Sequence, residues 1–141
     1  MKKIIITKSE RETFQLAKNL GQQAKQGDLF ALYGDLGTGK TIMAKGIAQG
    51  LGITEEITSP TFNLLEIYKG KLPLYHFDLY RLEKAEELDH LFFEEYWEGD
   101  GVSVVEWPQK AENLFPAQII KIFLTHLDDN SRRIVIEYFS L

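Results

Sequence analysis

Gly34-Asp35-Leu36-Gly37-Thr38-Gly39-Lys40-Thr41 follows the apolar run Leu29 to Tyr33 and runs into Lys40 to Leu51, a stretch of helix-forming composition. The run before it has the length of a buried parallel strand, and Gly50 and Gly52 supply a stop signal after it. The octet therefore bridges a strand and a helix, and its spacing is G-x-x-x-x-G-K-[ST]. Gly34, Gly37 and Gly39 permit backbone conformations that a Cβ would penalise, so successive N–H groups can converge on an anion at a helix N-terminus. Lys40 adds a point charge toward β- and γ-phosphates. Thr41 offers a hydroxyl where magnesium, a cation that prefers hard oxygen ligands, is expected. The pattern implies a nucleoside triphosphate with Mg²⁺.

On the N-terminal side, Ile4 to Thr7 reads as a short strand. Ser9 and Glu12 have capping-box spacing for a helix that runs to about Lys25, with Phe14, Ala17 and Leu20 facing the core. On the C-terminal side, Phe62 to Tyr68 and Leu72 to Phe77 flank Lys69-Gly70-Lys71 as a hairpin. Glu83 to Trp97 reads as a helix with Glu83, Glu86 and Glu87 on a solvated face. Its aromatics Phe92, Phe93, Tyr96 and Trp97 belong to the core. Val102 to Val105 is a second buried strand, and Pro108 opens a short helix through about Leu114. Gln118 to Leu124 and Arg132 to Phe139 close the chain as a hairpin around Asp128-Asp129-Asn130. These readings predict one domain over residues 1–141, of class α/β, with a mixed parallel and antiparallel central sheet.

Composition narrows the function. A chain of 141 residues, 44% hydrophobic and 26% charged, can bury one core. Its net charge of -5, with 16 scattered Lys and Arg, gives no basic footprint for gripping nucleic acid directly. Without cysteine there is no disulfide, thiolate nucleophile or cysteine-based zinc site. His76, His90 and His126 are too widely spaced for a close metal-ligand motif. The apolar run at the N-terminus is too short for an export signal or a membrane span, so a cytoplasmic location is expected.

Phosphoryl transfer needs more than a phosphate loop: a carboxylate near the metal and a group that orients the nucleophile. Asp78, in His76-Phe77-Asp78-Leu79-Tyr80-Arg81, and Glu106, in Glu106-Trp107-Pro108, follow predicted strands and would emerge at the edge where open α/β sheets bind ligands. Glu106 is the stronger candidate, and for Asp78 an ion pair with Arg81 or His76 is the structural alternative. Sequence alone leaves the metal ligand open between them. His76 reads equally as a structural histidine, and Trp107 as packing or as a gate.

Four blocks in this order resemble the TsaE (YjeE) family of bacterial ATPases: Gly34 to Thr41, Ser59-Pro60-Thr61-Phe62, His76 to Arg81, and Val105-Glu106-Trp107. The resemblance covers essentially the whole chain. It implies a P-loop NTPase-like three-layer fold and a role in making threonylcarbamoyl-adenosine at position 37 of tRNA. Partners TsaB and TsaD are implied too, with TsaD carrying the transfer chemistry, ATP hydrolysis supporting turnover, and tRNA met only through the complex. It assigns the loop Gly34, Asp35, Leu36, Gly37, Thr38, Gly39, Lys40 and Thr41 to the nucleotide, Thr41 and Glu106 to the metal, and Lys40, Glu106 and Asp78 to catalysis. Trp107 is placed beside the site, Thr7 and Arg132 against the nucleotide, and Ser59 to Phe62 in a switch-like loop.

Two other classes share the loop. A small-molecule kinase would place the γ-phosphate on an acceptor other than water, and it usually carries an arginine-bearing lid that this chain, with four arginines, lacks. A nucleotide-gated binding module would change a surface without needing Glu106.

Overall fold

The computed structural model describes residues 2–35, 37–58, 60, 64–83, 93–116 and 118–139. The elements are β1 (Lys2–Thr7), α1 (Glu10–Gln23), β2 (Leu29–Tyr33), α2 (Lys40–Gly50), β3 (Leu65–Tyr68), β4 (Leu74–Asp78), α3 (Phe93–Trp97), β5 (Val102–Glu106), β6 (Ile119–His126) and β7 (Arg132–Phe139). Between β5 and β6 lie two 3₁₀ turns, Pro108–Lys110 and Glu112–Leu114, where the sequence predicted one short helix. The switch-like positions Ser59, Thr61 and Phe62, and residues 84–92 of the predicted acidic helix, lie outside the described residues, as does Leu36.

The strands form one seven-stranded sheet in the order β1-β7-β6-β2-β5-β4-β3. β6, β2, β5 and β4 run parallel, while β7, β1 and β3 are antiparallel to their neighbours. This is the mixed sheet the sequence predicted, with both hairpins in place. The central strand β2 is continuous apolar sequence because both faces are covered. Phe30, Leu32, Val104 and Ile122 pack with Met43 and Ile47 of α2 on one face. Leu29, Ala31, Phe77 and Val105 pack with Trp97 and Ala111 on the other. Each large aliphatic side chain buried here contributes about 1.5–3 kcal/mol. The result is three layers.

α1 begins where predicted. Ser9 Oγ accepts from Glu12 N–H at 3.1 Å, but the Glu12 carboxylate reaches back to Lys8 N–H rather than to Ser9. Its buried positions are Thr13, Ala17 and Gly21, while Leu20 packs half-buried against the core and Phe14 is only half-buried. The reason is distance. A Cβ on Gly46 of α2 would come within 2.7 Å of Phe14 O, so only small residues fit where the helices cross. Gly50 likewise lies inside α2, against α1, and the left-handed turn after the helix falls to Gly52 with φ 81°. Among the described residues no helix is long and apolar enough to cross a membrane.

Candidate active site

Parallel pairing brings the ends of β2, β4 and β5 to one edge of the sheet. Asp78 and Glu106 are register partners, so their side chains leave neighbouring strands on the same face, toward α2. The loop after β2 arrives at the same edge. Gly39, with φ 105°, caps α2 without a side-chain bond, and the first amides of the helix stay free to meet an anion. Gly37 is also left-handed, at φ 81°. Thr38 Oγ1 donates to Asp35 O at 2.7 Å and closes the loop on itself.

The loop is held from outside as well. Arg132, at the start of β7 and 9% exposed, donates Nε to Thr38 O at 2.9 Å and Nη2 to Gly37 O at 3.4 Å. Its Nη1 donates to the carbonyls of Asp128, Asp129 and Ser131 in the β6–β7 turn. The arginine thus pins two loop carbonyls away from the cavity. Arg132→Ala leaves these carbonyls without their charged donor, and each such loss costs about 1–3 kcal/mol. The variant is expected to lose about 2–4 kcal/mol in urea unfolding, and Arg132→Lys to regain only part, because one ammonium cannot span the fork. An unchanged midpoint in Arg132→Ala would contradict the bracing role.

Together these elements enclose a cavity of about 380 Å³ whose lining includes Gly37, Gly39, Lys40, Thr41, Asp78 and Glu106. Trp107 and Arg132 border it too, and so do Glu10, Ile42 and Tyr80, which sequence reading did not assign to the site. Tyr80 stood in a quoted block. Glu10 carried no signal beyond an acidic first turn, because its place depends on how α1 packs. Gly34, Asp35 and Thr38 shape the loop without lining the cavity, and Thr7 turns inward, its hydroxyl 2.7 Å from that of Thr13.

Lys40 is 5% exposed, and its Nζ has no hydrogen-bond partner among the described residues. It sits 3.4 Å from the centroid of the Trp107 ring. Burial pushes its pKa below the ordinary lysine value, and the charges of Glu106, Asp78 and Asp35 pull it back up. Trp107 is at φ 57°, ψ 50°, the only positive-φ residue other than glycine among the described residues. Pro108 disfavours the right-handed helical region for the residue before it, and the left-handed turn carries the indole over the lysine and beside Tyr80, 5.0 Å between ring centroids.

Of the two carboxylates, Glu106 is the more buried, at 3% exposed. It is not a solvated loop carboxylate. Its Oε2 lies 2.7 Å from His76 Nε2, so His76 pairs with Glu106 and not, as the sequence allowed, with Asp78. Asp78 Oδ1 accepts from Tyr80 N–H at 3.0 Å. Burial raises the Asp78 pKa, opposed by that bond and by His76 and Lys40, and the nearby Glu106 charge raises it further.

The cavity therefore brings together backbone donors, the buried ammonium of Lys40 and oxygen donors from Thr41, Asp78 and Glu106. No group of three His, Cys, Asp or Glu is arranged as a metal cage among the described residues. Such a donor set suits a hard cation that takes most of its oxygens from a ligand and water.

Residues 7–134 match the family model of the threonylcarbamoyl adenosine biosynthesis protein TsaE. The tRNA threonylcarbamoyladenosine biosynthesis protein TsaE of Bacillus subtilis is 43% identical over 129 residues, covering 91% of this chain and 80% of that one. Its counterpart in Treponema pallidum is 40% identical over 131 residues, covering 93% and 97%. The crystal structure of Bacillus subtilis YdiB superposes with a TM-score of 0.87 at 36% identity, covering 99% of this chain and 87% of that one. Sequence and architecture agree, and the chain belongs to the TsaE family of threonylcarbamoyl adenosine biosynthesis proteins.

Proposed function

We propose that this chain is a cytoplasmic, Mg²⁺-dependent ATPase subunit that works with TsaB and TsaD in forming threonylcarbamoyl-adenosine at position 37 of tRNA. The observation that carries the reading is Lys40: a buried ammonium without a hydrogen-bond partner among the described residues, at a helix N-terminus with no side-chain cap, facing two carboxylates. A buried cation costs free energy unless an anion completes it, and a triphosphate is an anion of the right charge and reach.

In this reading Lys40 and the amides of the loop hold the phosphates. Thr41 and Glu106, with Asp78 beside them, hold the metal and its water. When bound, Mg²⁺ neutralises the charge shared by the β- and γ-phosphates. Glu106 or Asp78 orients the attacking water. Trp107 has to leave the face of Lys40 for phosphate to reach it. Its left-handed backbone also favours a second reading, in which nucleotide binding resets the surface around Trp107 and Tyr80 and hydrolysis is secondary. All three nitrogens of the Arg132 guanidinium, the one arginine lining the cavity among the described residues, are engaged by carbonyls, which supports a cation supplied by a docked partner and slow turnover alone.

The test is hydrolysis of γ-labelled ATP by the purified chain, alone and with TsaB and TsaD. The expected result is slow turnover alone, strong stimulation by the partners, and label released only as inorganic phosphate. Label on an acceptor other than water would mean a kinase. Binding without stimulated hydrolysis would leave the nucleotide-gated module.

A further inference from the structure

We propose that His76 is a positioning residue for this site: it holds the Glu106 carboxylate on the metal side of the cavity and withholds it from Lys40. The proposal rests on the ATPase reading above and adds a residue to it.

Three observations carry it. His76 is fully buried in the middle of β4, and its register partner Val104 precedes Glu106 by two residues on the same face of β5. The sheet therefore brings the ring to the inner side of the carboxylate. Nε2 lies 2.7 Å from Oε2, the length of a strong charge-assisted bond. Nδ1 has no partner among the described residues, so the tautomer that leaves no N–H stranded carries its proton on Nε2 and donates it to Glu106. The bond fixes one carboxylate oxygen inward on a residue that lines the cavity, which leaves the other oxygen for the metal side in this proposal.

The third observation concerns the lysine. Glu106 is close enough to Lys40 to act on its charge, yet no hydrogen bond joins them. A carboxylate released from His76 could close on that ammonium, spending the donors a phosphate needs and removing an oxygen from the metal side. The histidine prevents this collapse. Its function is exerted through Glu106, without contact to the nucleotide.

The experiment compares wild type with His76→Leu, which fills space without a donor, and His76→Gln, whose amide can still donate to Glu106. ATP affinity is measured by calorimetry with Mg²⁺ and with EDTA, beside partner-stimulated kcat and KM. In His76→Leu the ratio of Mg²⁺ to EDTA affinities is expected to shrink roughly tenfold and kcat to fall roughly 10- to 100-fold, with KM little changed. His76→Gln is expected to restore most of both. Should His76→Leu not fold, His76→Asn, with a shorter amide, takes its place.

A folded His76→Leu protein that keeps both the Mg²⁺ effect and kcat overturns the positioning role alone. So does a His76→Gln protein no better than His76→Leu, since a merely structural role would lower the melting temperature without this split. Wild-type protein that binds no ATP overturns both this proposal and the reading beneath it.

Discussion

Lys40→Met is expected to abolish measurable ATP binding while making the nucleotide-free protein more stable. The two effects have opposite signs because the same ammonium is responsible for both. In the complex it would make two charge-assisted bonds to phosphate, each worth about 1.5–3 kcal/mol, so affinity should fall at least about 100-fold. In the free protein it is 5% exposed with no hydrogen-bond partner among the described residues, and its compensation is the face of Trp107 at 3.4 Å. Replacing an incompletely paired buried charge by an apolar side chain of similar length should stabilise the fold by on the order of 1 kcal/mol. Urea unfolding without nucleotide measures one effect and calorimetry with MgATP the other.

The pH dependence follows from the same burial. Desolvation holds Lys40 below the usual lysine pKa in the folded chain. Between the folded and unfolded values the unfolded chain binds more protons, so the burial penalty is full below the folded value and fades as pH rises through that interval. Wild type should accordingly gain stability over that interval relative to Lys40→Met. A variant that lost stability at neutral pH would mean that Lys40 holds the loop together, and the central argument for an anion site would go.

Much of this was legible in the sequence, for a physical reason. The loop and its two flanking elements are local: an apolar run, glycines at fixed offsets and a helix-forming stretch encode strand, turn and helix within residues 29–51. Both hairpins were readable for the same cause, since Lys69-Gly70-Lys71 and Asp128-Asp129-Asn130 mark their turns in place. What periodicity could not give is which strands lie side by side. Asp78 and Glu106 were both found by their positions after strands, but their pairing, and the 2.7 Å contact of His76 with Glu106, depend on the β4–β5 register. Arg132 was assigned through resemblance to the nucleotide. Its hydrogen bonds to the loop run to the carbonyls of Gly37 and Thr38, a role that appears only once β7 is laid beside the loop. Of the predicted core face of α1, Ala17 is buried and Leu20 packs against the core, while Thr13 and Gly21 were missed because amphipathic spacing favours large apolar residues and close helix crossing selects small ones.

Glu106→Gln separates hydrolysis from binding more sharply than truncation. The amide keeps the size of the side chain and an oxygen that can accept from His76, so the site should stay packed, and only the charge is lost. If Glu106 places water and completes the metal's oxygen set, partner-stimulated hydrolysis should fall by roughly 10²–10⁴, the range typical of a removed general base. Nucleotide affinity in EDTA should stay within about threefold of wild type, because the phosphates are held by Lys40 and the loop amides, which the substitution leaves in place. Stability should hold or rise, since Glu106 is a 3% exposed carboxylate whose desolvation no longer has to be offset. A nucleotide-gated module predicts something else: tRNA modification by the assembled proteins would continue with Glu106→Gln, since binding alone sets the surface around Trp107. The comparison is decisive when hydrolysis and modification are measured on the same preparation. Loss of both ties threonylcarbamoyl-adenosine formation to ATP turnover at Glu106. Loss of hydrolysis with modification intact would reduce the carboxylate to a spectator of the process its family serves.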